Sequence, residues 1–242
     1  MLNFIGIGAQ KAGTSWLYAM LKRHPDIHFP AGKEVHFWDQ YYSRGINWYT
    51  DLFRGTLQGI AGEITQAYAI LPWVRIKEMS MHFPGIKILF SIRNPVERAW
   101  SQVLMHLNRT GQSKNIDTMP DEWFFRFFSS EGSLQRGDYE TCLRSWLSCY
   151  DPSHFLIFRF EEIRQSPRTL LMNCCRHLGV DSHFYSALND SILHQKIFRG
   201  ETHPLRPSLQ KFLKKLYQKK IEKLQGFLDM DLSDWLQEKV ST

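Results

Sequence analysis

The sequence has few of the features that mark a secreted, membrane or metal-rich protein. No apolar run approaches the roughly 20 residues needed to cross a bilayer. The opening residues 1–8 contain neither a basic segment nor a small-residue cleavage site. There are only 4 cysteines, and no pair has zinc-ribbon or redox-motif spacing. They are Cys142, Cys149, Cys174 and Cys175. We therefore expect a cytoplasmic protein with no membrane span and four free, buried thiols.

The composition is typical of one globular domain with a basic surface. Hydrophobic residues make up 43% and charged residues 22% of the 242 residues, which predicts a single domain over residues 1–242. The formal net charge is +6, and much of the excess lies in one segment near the end of the chain. Its lysines are Lys211, Lys214, Lys215, Lys219, Lys220 and Lys223. Apolar residues recur there at helical spacing, so we interpret the lysines as the solvated face of a helix. No nucleic-acid partner is expected.

Alternating strand and helix patterns predict an α/β fold, a three-layer sandwich with a mainly parallel central sheet flanked by helices. Short apolar runs predict strands at residues 3–8, 59–64, 86–92 and 155–160. Helical periodicity predicts helices at residues 14–23, 72–83, 95–108, 121–129, 139–150, 166–178 and 208–224. In such folds, ligands bind at the carboxyl ends of the strands.

A glycine-containing loop, Gly8–Ser15, joins the first strand to the first helix. Gly13, Thr14 and Ser15 place N–H groups at the N-terminus of that helix, where an anion is favoured. Lys11 adds a positive charge within the loop, and the two hydroxyls are further donors. The strand, loop and helix therefore predict a P-loop-like site for a phosphate group.

This loop differs from the nucleoside-triphosphate loop G-x-x-x-x-G-K-[ST]. Thr14 stands where that motif has its lysine, and the lysine of this chain lies upstream as Lys11. The strand at residues 86–92 ends in Arg93, with no acidic residue to hold Mg²⁺. We therefore expect an anionic ligand that binds without a metal.

A second motif follows the strand at residues 86–92. Arg93 can direct two N–H groups onto one phosphate. Pro95 starts the next helix without losing a donor, and Ser101 lies on that helix, eight residues after Arg93. The alternative is that Arg93 forms a salt bridge and Ser101 is a small packing residue.

Together the two motifs resemble those of PAPS-dependent sulfotransferases, and are closest to the bacterial and heparan-sulfate-type branch (PAPS is 3′-phosphoadenosine-5′-phosphosulfate). Gln10–Trp16 is similar to the 5′-phosphosulfate loop of that family. Arg93 and Ser101 are similar to its 3′-phosphate motif. The resemblance implies sulfuryl transfer from PAPS to an acceptor, with PAP as the product and no metal.

The resemblance also implies which residues bind PAPS. Arg93 and Ser101 are expected at the 3′-phosphate, helped by Arg199 and Gly200. Trp16 matches a position that stacks on adenine, although a core tryptophan is the alternative. The residues expected at the 5′-phosphosulfate are Lys11, Ala12, Gly13, Thr14 and Ser15.

Lys33–Asp39 resembles the segment that carries the catalytic glutamate in the heparan-sulfate-type branch. This makes Glu34 the expected general base, with Lys11 neutralising charge on the leaving group. His36 is the alternative base because imidazole titrates near neutral pH. Glu63 is a third candidate.

One segment departs from the heparan-sulfate-type pattern. Residues 64–68 read Ile-Thr-Gln-Ala-Tyr, where that branch has Lys-Thr-Pro-Ala-Tyr, so Ile64 replaces a second active-site lysine. The acceptor is therefore expected to be a hydroxyl, or an amine, on a carbohydrate, a glycolipid or a small metabolite.

Two other functions compete with sulfuryl transfer. A P-loop kinase of a small metabolite would share the fold and the anion loop but would need Mg²⁺ ligands. A non-catalytic nucleotide-binding or polyanion-binding protein would rest on the net charge of +6. Neither accounts for the pairing of Arg93 with Ser101.

Overall fold

The computed structural model describes residues 1–55, 58–195, 197, 200 and 202–237. The chain divides into two compact units. Unit 1 comprises Met1–Arg93 and Ser145–Arg199, and unit 2 comprises Asn94–Arg144 and Gly200–Thr242. The expectation of a single domain over residues 1–242 stays a prediction.

Five strands form the sheet of unit 1: β1 (Leu2–Gly8), β2 (Ile27–His28), β3 (Ile60–Ile64), β4 (Lys87–Ile92) and β5 (Phe155–Arg159). The helices that the structure describes are α1 (Thr14–Leu21), α2 (Ile46–Asp51), α3 (Trp73–His82), α4 (Pro95–Arg109), α5 (Asp121–Phe128), α6 (Glu131–Gly137), α7 (Tyr139–Leu147), α8 (Glu162–Gln165), α9 (Pro167–Leu178), α10 (Asp190–Leu193) and α11 (Pro207–Leu228). The predicted α/β class is confirmed. The sequence patterns do not predict β2, α2, α6, α8 or α10, because each is too short to show a period.

The sheet is entirely parallel and has the order β2-β3-β1-β4-β5, with β1 at its centre. β1 is buried from Phe4 to Gly8, as expected for a parallel strand that is covered on both faces. Gly6 pairs with Ile64 on one side, and Gly8 pairs with Phe90 on the other. The loops that follow β1, β3 and β4 therefore leave the sheet from the same edge, where α/β proteins bind ligands.

The core of unit 1 forms where α1 and α9 pack against the sheet. Phe4 of β1, Leu17 of α1 and Leu171 of α9 belong to one buried cluster. Cys174 is part of the same cluster, and all four cysteines are free, as predicted. Three of these thiols are buried, but Cys149 is only half-buried, which corrects the expectation of four buried thiols.

In unit 2, α11 has one apolar face and one basic face. Its buried residues include Leu213, Tyr217 and Ile221, one turn apart. Lys211 and Lys215 are exposed on the opposite face, which agrees with the predicted solvated face of a helix. Within the described residues, no helix is both long and apolar enough to cross a membrane.

Gly62 in β3 offers a direct test of the packing around β1. A Cβ atom at this position would lie 2.4 Å from Cε1 of Phe4, whose ring is fully buried. We predict that Gly62→Ala lowers the free energy of unfolding by about 1–3 kcal/mol, because the ring has no room to move. The measurement is urea unfolding followed by circular dichroism.

Gly85→Ala is the matched control in the same unit. A Cβ atom at Gly85 would meet nothing within 4 Å. Its effect should therefore stay within about 0.5 kcal/mol, as is usual for surface substitutions. Equal effects of the two substitutions would contradict the packing described for Gly62.

Candidate active site

The loop between β1 and α1 turns sharply at the carboxyl edge of the sheet. The N–H of Ala9 donates to the carbonyl of Ser91 on β4 at 2.7 Å. Lys11 and Gly13 then have positive φ values of 66° and 83°. Gly13 precedes α1, which begins without a hydrogen bond from a capping side chain. The N–H groups of the first turn of α1 are therefore available to an anion.

Two side chains at the end of β4 hold this loop through its carbonyl groups. The hydroxyl of Ser91 donates to the carbonyl of Ala12 at 2.6 Å. Nη1 of Arg93 donates to the carbonyl of Lys11 at 2.9 Å. In a trans peptide the N–H points opposite to the carbonyl, so the N–H of Gly13 points away from Ser91. The hydrogen bond from Ser91 thus fixes the direction in which the N–H of Gly13 points.

Lys33 joins this loop to the predicted general base. Its ammonium donates to Ser15 Oγ at 3.2 Å and to Glu34 Oε1 at 2.7 Å. The amide of Gln66 also donates to Glu34 Oε1, at 3.4 Å. Ser15 and Glu34 therefore both contact Lys33 in unit 1, and their joint role in a site stays a prediction.

His36 lies between two carboxylates. Its Nδ1 is 2.9 Å from Asp39 Oδ2, and its Nε2 is 3.4 Å from Glu34 Oε2. The side chains of Glu34 and His36 are 31% and 20% exposed, so both groups remain open to a substrate. The two candidate bases are thus direct neighbours, and each ring nitrogen of His36 faces a carboxylate.

The backbone of the site is strained at the residues expected to be catalytic. Among the described residues, the non-glycine residues with positive φ are Lys11, Glu34, His36 and Asp229. A left-handed conformation costs about 1–2 kcal/mol for a residue with a Cβ atom, and such strain clusters at functional sites. Three of these four residues are the predicted catalytic residues, which supports their assignment to one site.

The carboxyl group of Glu34 is tuned by opposing effects. Burial acts to raise its pKa, but the hydrogen bond and charge of Lys33, followed by those of His36, outweigh this effect. The pKa of Glu34 therefore lies below its usual range. Glu34 is ionised at neutral pH and can accept a proton.

Glu63, the third candidate for the base, is fully buried in β3. Burial raises its pKa, although hydrogen bonds from Thr65, Tyr49 and Tyr68 oppose the rise. A carboxylate with no exposed surface cannot contact an acceptor molecule. Full burial therefore disfavours Glu63 as the general base, and the identity of the base stays a prediction.

The predicted 3′-phosphate residues lie in different parts of the chain. Arg93 is in unit 1, half-buried, with its guanidinium 4.5 Å from the centre of the Phe160 ring. Ser101 is on α4 and Gly200 is exposed, and both belong to unit 2. Arg199 lies outside the described residues. Their joint contact with a 3′-phosphate stays a prediction.

Trp16 is a residue of the core in this structure. Only 8% of its surface is exposed, and its indole N–H donates to the carbonyl of Leu193 at 3.0 Å. These contacts favour the packing alternative for Trp16. Stacking on adenine stays a prediction.

Sequence reasoning missed two polar neighbours of the site, Asp39 and Gln66. Asp39 follows His36 by three residues, a spacing that brings side chains together in a single turn. Gln66 contacts Glu34 although the two residues are 32 positions apart in the sequence, and no local sequence pattern indicates such a contact. In the described part of the chain, no group of three or more His, Cys, Asp or Glu residues is arranged to hold a metal ion.

Comparison with known proteins identifies a family. The family model described as the sulfotransferase domain matches residues 3–199. Heparan sulfate glucosamine 3-O-sulfotransferase 6 from Mus musculus is 32% identical over 188 residues, covering 74% of this chain and 54% of the relative. The chain thus spans about half the length of the curated relatives it matches.

Solved structures agree with this result. The crystal structure of a sulfotransferase from Alicyclobacillus acidocaldarius has a TM-score of 0.76 at 26% identity, covering 98% of this chain and 99% of that chain. A mouse sulfotransferase crystallised with PAP has a TM-score of 0.54 at 18% identity, covering 91% of this chain and 84% of that chain. The second similarity is one of fold.

The ion pair between Lys33 and Glu34 predicts a change in titration. We expect Lys33→Met to raise the pKa of Glu34, because the substitution removes the ammonium that favours the charged carboxylate. A lowered carboxyl pKa stabilises the fold above the unfolded-state pKa, and this contribution disappears as pH falls through the folded-state pKa. The free energy of unfolding of Lys33→Met should therefore depend less on pH in the acid range than that of the wild type. The pKa is measured by NMR titration of the side-chain carboxyl carbon.

Lys22→Met is the matched control for this titration. The ammonium of Lys22 lies 5.8 Å from the centre of the Tyr18 ring, and its removal should leave the pKa of Glu34 unchanged. An unchanged pKa in Lys33→Met would contradict the contact between Lys33 and Glu34.

Proposed function

The chain belongs to the sulfotransferase domain family, and on that premise we propose that it transfers a sulfuryl group from PAPS to an acceptor hydroxyl or amine. The observation that carries the proposal is the position of Lys33. Its ammonium lies 3.2 Å from Ser15 Oγ of the anion loop and 2.7 Å from Glu34 Oε1. One side chain therefore connects a donor-binding loop to a proton acceptor, which supports direct transfer between two bound substrates.

The loop residues suit the phosphosulfate end of PAPS. Gly13 directs its N–H away from the strand, and the first turn of α1 has no side-chain cap that competes with an anion. Lys11 would bring a positive charge to the phosphate that departs. When bound, PAPS supplies the sulfuryl group, and PAP is the leaving group.

The proposed transfer balances without an oxidant or a reductant. The acceptor oxygen forms a bond to sulfur while the bond from sulfur to the bridging phosphate oxygen breaks. Glu34 takes the proton of the acceptor hydroxyl, and Lys11 stabilises the charge that develops on the departing phosphate. The protein residues therefore contribute placement and electrostatics rather than a covalent intermediate.

The surroundings of Glu34 favour it over His36 as the base. Glu34 is ionised at neutral pH and is therefore in the form that accepts a proton, and the lowered pKa, caused by Lys33 and His36, makes it a weaker base than an unpaired carboxylate. His36 has Asp39 at one ring nitrogen and Glu34 at the other, which suits a group that orients the base. We assign the proton transfer to Glu34 and the orienting role to His36.

A carbohydrate hydroxyl is the acceptor class that we propose. The curated relatives are named for heparan sulfate glucosamine, which supports a sugar acceptor. Ile64, which replaces a lysine of that branch, is fully buried. The ammonium that contacts Glu34 in this chain is that of Lys33. Glycolipids and small metabolites are the alternatives.

Calorimetric titration tests the donor site. We predict that PAP binds more tightly than 5′-ADP or ATP and that magnesium does not change the affinity for PAP. The reason is that the site is expected to bind the 3′-phosphate without a metal. Arg93→Ala should weaken PAP binding about 10- to 100-fold and abolish the preference over ADP, since hydrogen bonds to charged groups contribute about 1.5–3 kcal/mol.

Arg54→Ala is the control for this titration, because the Arg54 side chain is 76% exposed and pairs with Asp51. PAP affinity should not change in that variant. Tighter binding of ATP with magnesium than of PAP would favour the kinase alternative and reject PAPS as the donor.

Substitution of the base tests the transfer step. We predict that Glu34→Gln lowers turnover about 10²- to 10⁴-fold, the usual contribution of a general base, while PAP affinity does not fall. Transfer of labelled sulfate from PAPS to desulfated heparan, a glycolipid and a small alcohol is the measurement. Asp51→Asn, an exposed carboxylate in the same unit, is the control. A near wild-type rate in Glu34→Gln would assign the proton to another group.

A further inference from the structure

Glu63 is the most completely hydrogen-bonded carboxylate near the site. Oε1 accepts from the hydroxyls of Tyr49 at 2.5 Å and Tyr68 at 3.1 Å. Oε2 accepts from the hydroxyl of Thr65 at 2.5 Å and from the N–H of Val35 at 3.3 Å. Four donors occupy the four acceptor directions of the group, so an ionised carboxylate is satisfied at full burial.

Two of these hydroxyls also accept hydrogen bonds from the segment that carries the candidate base. The N–H of His36 donates to Thr65 Oγ1 at 3.4 Å. The N–H of Trp38 donates to the hydroxyl of Tyr68, also at 3.4 Å. Together with the direct bond from Val35, three backbone N–H groups within residues 34–38 depend on Glu63.

This segment needs external support because its conformation is unfavourable. Glu34 and His36 have φ values of 64° and 56°, in the left-handed region that residues with a Cβ atom avoid. Such conformations persist only where surrounding contacts determine them. The N–H of Glu34 is held by the carbonyl of Ile64 at 3.0 Å, and the Glu63 contacts hold the residues that follow.

We propose that Glu63 is a positioning residue, whose buried carboxylate fixes the backbone on which Glu34 and His36 are presented to the substrates. It contacts neither substrate and takes no proton. The effect on turnover rests on the proposed sulfuryl transfer, but the positioning itself exists in the folded protein without any ligand. Removing a link between Glu63 and the segment therefore displaces Glu34 from Lys33 and changes its titration.

Thr65 and Tyr49 provide a matched pair of substitutions. Thr65→Val removes the hydroxyl that links the N–H of His36 to Glu63, and Thr65→Ser keeps it. Tyr49→Phe removes a hydroxyl that donates to the same carboxylate at the same 2.5 Å, but Tyr49 lies on α2, and in the described structure its hydroxyl, unlike that of Thr65, accepts no backbone N–H of residues 34–38. Both hydroxyl deletions should lower stability to a similar extent, as read from the midpoint of urea unfolding.

The pKa of Glu34 is the first readout, measured by NMR in the absence of substrates. We predict that Thr65→Val raises this pKa towards its usual range, because Glu34 moves away from Lys33 and His36. Thr65→Ser and Tyr49→Phe should retain the lowered pKa of the wild type. A loss of stability alone would not separate Thr65→Val from Tyr49→Phe.

Ligand binding and turnover are the second readout. PAP affinity should not fall in any of the three variants, since none of the substituted residues belongs to the anion loop. Turnover should fall about 10- to 100-fold in Thr65→Val alone, at nearly constant KM, because small displacements of a reacting group have effects of this size. The measurement uses whichever of the three acceptors is sulfated by the wild-type protein.

Two results would overturn the positioning role. One is an equal shift of the Glu34 pKa in Thr65→Val and Tyr49→Phe, and the other is no shift in Thr65→Val. If Thr65→Val does not fold, Tyr68→Phe replaces it, because it cuts the link between Trp38 and Glu63. Failure of the wild type to bind PAP would reject the proposed function and leave the NMR comparison valid.

Discussion

The backbone of residues 34–38 is held in place by hydrogen bonds that converge on one buried carboxylate, and the candidate site depends on them. Two residues of this segment adopt a left-handed conformation, at about 1–2 kcal/mol each. A buried charge is also unfavourable unless donors surround it. Glu63 and its four donors resolve both difficulties at once, because three of the donors that satisfy the carboxylate, from Val35, Thr65 and Tyr68, also restrain the segment. The backbone position of Glu34 thus depends on Glu63, a residue of β3 within the sheet.

Much of the loop between β1 and α1 follows from local sequence. Buried strands such as β1 read as continuous apolar runs, and the glycines at Gly8 and Gly13 mark the turn into α1. Both signals span a few residues, so a sequence displays them directly. The parallel arrangement then follows, because strands that alternate with helices return to the same edge of the sheet. The turn between β1 and α1 was therefore predictable, and so was the helix with the basic face, while anion binding by the loop stays a prediction.

The surroundings of Glu34 and His36 were predictable only in part. Glu34 and His36 were proposed through the resemblance of their segment to a family motif, but some contacts of this segment join residues that are distant in sequence. Ser15 and Lys33 are 18 positions apart, and Gln66 and Glu34 are 32 positions apart. Buried Glu63 contacts Tyr49 of α2 and two residues that follow β3, Thr65 and Tyr68. A pattern of residue types does not reveal such contacts. The sequence analysis therefore included the buried carboxylate of Glu63 among the candidate bases.

The ammonium of Lys33 makes the two halves of the site thermodynamically dependent on each other. It is shared between Ser15 on the anion loop and Glu34 on the acceptor side. An anion that binds at the loop competes for this ammonium and weakens its hold on the carboxylate, so the proton affinity of Glu34 rises when the loop is occupied. By reciprocity, the protonation state of Glu34 alters the affinity of the loop for anions. Occupancy of the loop and proton uptake by Glu34 are therefore linked equilibria, and the carboxylate becomes a stronger base when an anion occupies the loop.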